Sequence, residues 1–107
     1  MDEEDKQPQE AAQEAADADR LLQGEPADTV YEDDARLWIQ VYLELIEYKR
    51  RLLSTTQETL ATMPEGPARR EVAETDLVIL QSEVSRFTRR LEFWKRRLSE
   101  SLGQPEP

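Results

Sequence analysis

The sequence predicts an all-α protein: an antiparallel two-helix hairpin with coiled-coil-like packing, dimerising to a four-helix bundle and preceded by a disordered acidic N-terminal tail. Three observations carry this. An unbroken heptad row of apolar residues runs from Ala73 to Leu98, a Pro64-Glu65-Gly66-Pro67 break separates two apolar stretches of nearly equal length, and the acidic charge is concentrated ahead of both. The chain has 107 residues and a formal net charge of −10, with no His, no Cys and only 3 Gly. That length sets one domain as the ceiling and limits the core it can bury.

The tail comes first in the chain. Residues 1–34 hold 13 acids and 2 bases, so the charge of the remainder is +1. Through Asp28 the only large apolar side chains are Met1, Leu21 and Leu22. Such a segment buries too little surface to offset its ordering entropy, so residues 1–28 are expected to be largely disordered. Ala11, Ala15, Ala18 and Leu22 recur at helical spacing, and Gly24 and Pro26 follow as a stop signal. This allows a short, weak helix over about 9–23, of a length that is marginal in isolation.

The hairpin occupies 29–103. Thr29 and Glu32 have capping-box spacing, and Glu32, Asp33 and Asp34 place negative charge where the helix dipole favours it. A first helix is expected over 30–63. Residues 64–67 form the turn: Pro64 pushes Met63 out of helical geometry, and Pro67 suits the first position of a new helix. A second helix is expected over 68–102, closed by Gly103, with 104–107 disordered. Two equal helices joined by four residues fold back antiparallel.

The second helix carries its seam through Ala73, Leu77, Leu80, Val84, Phe87, Leu91, Trp94 and Leu98, at alternating spacings of 4 and 3. The first helix is apolar around an arc of about 240° between Leu37 and Tyr48, where a hairpin needs only about 100°. That half must therefore touch at least two neighbours. Folding about the turn sets Trp38 near Phe93, Tyr42 near Arg89 and Tyr48 near Glu83, with every aromatic residue in the half away from the turn. A second copy, the Ala11–Leu22 segment or another protein could cover this open end. A homodimer is the leading expectation, because a lone hairpin covers little surface.

The missing residue types exclude Cys or His zinc sites, thiol nucleophiles and imidazole bases. Glu44/Glu47 and Glu71/Glu74 read as solvated helix surface. No catalytic, cofactor-binding or metal site is expected, and no small-molecule substrate. No apolar run reaches membrane-spanning length, and the acidic N-terminus is unlike a signal peptide, so a cytoplasmic location is expected. The functional expectation is a non-enzymatic interaction, adaptor or regulatory protein using Trp38, Ile39, Tyr42, Leu43, Phe93 and Trp94 at the open end. The alternative is a regulator of nucleic-acid machinery. In it Arg86, Arg90 and Arg97, which share one side of the second helix, contact an anionic partner while the acidic tail modulates or mimics nucleic acid. The near-neutral body weighs against that alternative, and flanking arginines ordinarily pair with acids beside a seam.

Overall fold

In the computed structural model, residues 8–17 and 19–103 are described. Helix α1 spans Pro8–Ala16, α2 Glu32–Thr62, α3 Pro67–Glu71 and α4 Leu77–Gly103, with a π-helical turn Val72–Asp76 joining α3 to α4. There are no strands among the described residues. Helices α2 and α4 pack together as the hairpin, and α1 lies against α4. The extents of 64 × 35 × 17 Å leave the molecule little more than a helix diameter thick, so few side chains are enclosed on all sides.

The ends of the hairpin helices follow local chemistry. Met63 is extended (φ −77°, ψ 138°) ahead of Pro64, and Pro67 opens α3. Gly66 sits at φ 154°, a conformation that side chains disfavour. The capping box does not form. The N-cap of α2 is Tyr31, with no side-chain cap bond, because Thr29 belongs to the preceding turn. The Thr29 N–H bonds the Pro26 carbonyl at 3.0 Å, and its hydroxyl donates to the Asp34 carboxylate. The π-helical turn is also new: the Leu77 N–H reaches back to the Val72 carbonyl. Val72, Thr75 and Asp76 are among the weaker helix formers, so widening the helix there costs little.

The core sits at the open end. Ala35, Tyr42 and Ile46 of α2 meet Phe87, Leu91 and Trp94 of α4, with Leu22, Trp38, Ile39, Leu45, Phe93 and Leu98 packed around them. No residue from 47 to 85 is buried. This matches the polar composition of the half nearer the turn. The register agrees with the sequence to within about a turn: Tyr42 lies 5.8 Å from Phe87, ring centre to ring centre, and Lys49 pairs with Glu83 at 3.0 Å.

The N-terminal region departs from expectation. Residues 8–17 and 19–28, expected from the sequence to be largely disordered, are placed against the hairpin. Ala15 is buried, Leu22 packs on the core and Glu25 is buried. The expected helix over 9–23 ends early, at Ala16. There the Asp17 carboxylate takes the Asp19 N–H at 2.9 Å and its carbonyl the Arg20 N–H at 3.0 Å, a local bonding pattern that competes with helix. The expected disorder of residues 1–7 and 104–107 lies outside the described residues.

Candidate functional site

The most constrained chemistry is around Glu25. Its side chain is fully buried, and its carboxylate accepts from three elements. One oxygen takes the Tyr42 hydroxyl at 2.5 Å and the Leu22 N–H at 2.9 Å. The other takes Arg90 Nη2 at 2.7 Å and Nε at 3.1 Å, together with the Trp94 indole N–H at 2.8 Å. A local turn delivers the carboxylate. The Glu25 N–H bonds the Leu22 carbonyl at 3.0 Å, and Gly24 holds φ 84°, the left-handed geometry required at the third turn position.

Burial alone would raise the Glu25 pKa. The bonds from Tyr42, Leu22, Arg90 and Trp94 outweigh burial and hold the carboxyl below its ordinary value. Burial, and then the adjacent carboxylate, push the Tyr42 hydroxyl pKa up, so it stays a neutral donor. A depressed carboxyl contributes stability that is complete above the unfolded-state value of about 4.3 and is lost as pH falls through the folded value. Tryptophan emission and far-UV helicity should therefore hold steady from pH 8 to about 5 and change together below about 4. Glu25→Gln should lack that transition. An acid profile for Glu25→Gln identical to that of the wild type contradicts the assignment.

Three neighbouring arginines grip main-chain carbonyls of the same region. Arg86 Nη1 donates to the Arg20 carbonyl at 3.0 Å, Arg89 to the Ala16 carbonyl, and Arg97 Nη1 to the Thr29 carbonyl at 2.6 Å. Arg89 thus answers one of the orphan carbonyls at the end of α1, where the helix dipole favours a cation. Ring faces support the guanidinium groups: Arg90 stands 4.2 Å and Arg97 5.0 Å from the Phe93 centroid, and Arg86 4.7 Å from that of Phe87. Arg86 is buried, and its Nε has no hydrogen-bond partner among the described residues. Burial, reinforced by the nearby Arg20 charge, lowers its pKa.

The arrangement redistributes the residues singled out from sequence. Of the open-end set, Tyr42 and Trp94 are fully enclosed, Trp38, Ile39 and Phe93 are half-buried, and Leu43 is exposed. Tyr42 and Trp94 therefore offer no surface while the N-terminal region is in place. Arg86 and Arg90 are buried and Arg97 is half-buried. Arg86 and Arg97, expected from the sequence to contact an external anion, hold main-chain carbonyls of Arg20 and Thr29 here, and Arg90 holds the Glu25 carboxylate. Sequence reasoning missed Glu25. Its only signal is its position between Gly24 and Pro26, beside the sole Leu-Leu pair of an otherwise polar stretch.

No helix among the described residues is long and apolar enough to cross a membrane. Comparison of the chain with family models, with curated proteins and with solved structures finds no match.

Proposed function

We propose that this chain is a non-enzymatic protein–protein interaction module, of adaptor or regulatory type, that works through the open end of its hairpin and self-associates there as a homodimer. The observation that carries the reading is the placement of exposed apolar side chains. Val30, Tyr31, Leu37, Leu43 and Tyr48 are all exposed, Leu37 at 56% and Tyr48 at 54%, and all lie at or beside the open-end half of α2. Leu37, Val41, Tyr48 and Leu52 fall within about 60° of one another around the helix, outside the stripe that faces α4. Contiguous apolar surface of this kind marks protein contacts in soluble proteins.

Light scattering tests it. The full chain should show twice the molar mass of one protomer, and Leu37→Glu with Tyr48→Glu should return it to one protomer with helicity unchanged. A wild-type protein that stays monomeric across micromolar to millimolar concentration removes self-association from the reading.

A further inference from the structure

Resting on the open end as a protein-interaction surface, we infer that the α4 face bearing Arg86, Arg89, Arg90 and Arg97 is a receptor groove for an acidic peptide with a Leu-x-Gly-Glu turn. The end of α1 and residues 19–29 occupy that groove as an internal, displaceable ligand.

The division of contacts supports this. Arg86, Arg89 and Arg97 hold carbonyl oxygens of Arg20, Ala16 and Thr29, which are main-chain groups that any peptide following the same path offers. These grips read the path of the main chain, not side chains. The socket for Glu25 reads a side chain by hydrogen bonds, and the hairpin itself builds it from Tyr42, Arg90 and Trp94. The remaining bond comes from the ligand's own turn, the Leu22 N–H to the Glu25 carboxylate. A peptide carrying Leu-x-Gly-Glu makes that turn by itself and presents its carboxylate to the three donors. Arginines that flank the socket match the negative charge of such a peptide.

The internal ligand is held in a way that permits exchange. Leu22 is the one large apolar side chain of residues 19–29 that packs on the core, whereas Leu21 is exposed. The covalent connection supplies a high effective concentration in place of apolar burial. A partner with the same turn and one further apolar anchor against Phe93 would displace it.

The test uses the full chain and a fluorescently labelled synthetic peptide of residues 16–31. Glu25→Ala frees the socket in the receptor, and this variant should bind the peptide at least tenfold more tightly than wild type does. A peptide that itself carries Glu25→Ala should lose that gain, whereas a peptide with Arg20→Ala, which changes only a side chain beyond a gripped carbonyl, should bind within threefold. Equal binding by both receptors, or equal binding of the peptides with and without the glutamate, overturns the inference. So does displacement of the peptide by an equal concentration of duplex DNA with steep salt dependence, which would make the groove a polyanion surface. If circular dichroism shows the receptor variant unfolded, wild type carries the test: it should prefer the glutamate peptide at least tenfold, and equal affinity overturns the inference. The two readings fail separately. A monomer that captures the peptide through its glutamate removes self-association and keeps the groove, and a dimer without glutamate-dependent capture does the reverse.

Discussion

Glu25→Ala is expected to detach the N-terminal region from the hairpin. In the docked state the substitution leaves the Arg90 guanidinium, the Tyr42 hydroxyl and the Trp94 indole N–H buried around a missing acceptor. Removing one partner of a buried ion pair costs about 3–5 kcal/mol, most of it the penalty of stranding the other charge. The chain has a cheaper state available, in which residues 8–31 leave and water reaches the three donors. The loss should therefore appear as release before it appears as global unfolding. Helicity should fall by roughly the nine residues of α1, and amide exchange across α1 should accelerate while the α2 amides at Ile46 and beyond stay protected. Hydrogen exchange read by mass spectrometry distinguishes this from uniform destabilisation. Glu25→Gln, which keeps the shape and one acceptor oxygen, should give a smaller effect in the same direction.

Trp94→Ala carries the second large effect and acts on the hairpin itself. Trp94 is fully enclosed, stands edge-on to Phe93 at 5.1 Å, and belongs to a core cluster of six buried apolar side chains among the described residues. Truncating a buried aromatic side chain to Ala costs about 3–5 kcal/mol. That is a large share of the 5–15 kcal/mol that typically separates folded from unfolded domains. No buried residue between 47 and 85 can compensate, so the variant should lie near its unfolding midpoint at room temperature. Trp94→Phe retains most of the volume and loses only the indole donor, and should cost about 1–2 kcal/mol. Urea titrations should place the midpoints in the order wild type, Trp94→Phe, Trp94→Ala. Equal midpoints for the two variants would mean that packing volume contributes little at this position.

What the sequence made legible and what it hid have physical causes. The hairpin boundaries were readable because Pro64 and Pro67 act on their immediate neighbours. Helices expected over 30–63 and 68–102 correspond to Glu32–Thr62 and to Pro67–Gly103 with its π-helical turn. The seam was readable because Phe87, Leu91 and Trp94 must face one partner at a fixed period. The surplus apolar arc of α2 implied a second neighbour, and α2 meets the N-terminal region at Tyr42, whose hydroxyl donates to Glu25. The docking of the N-terminal region was one of three coverings that the sequence left open, and no residue pattern selected it. Three of the arginine grips end on carbonyl oxygens, which every residue carries, so no side-chain pattern announces them. Glu25 is one acid among the 13 of residues 1–34 and becomes distinct only where Tyr42, Arg90 and Trp94 converge on it. The shared face of Arg86, Arg90 and Arg97 was visible from their spacing, and its target was not.

The hairpin clamps its own N-terminal region through the buried Glu25 carboxylate at Trp94. The most direct test is a proton–nitrogen correlation spectrum of the two tryptophan indoles in the full chain at pH 7. One indole N–H should be shifted downfield by its bond to a carboxylate, exchange slowly with solvent, and move upfield in Glu25→Gln while the Trp38 signal stays in place. Two indole signals that both exchange at solvent rates and ignore the Glu25 substitution would contradict it.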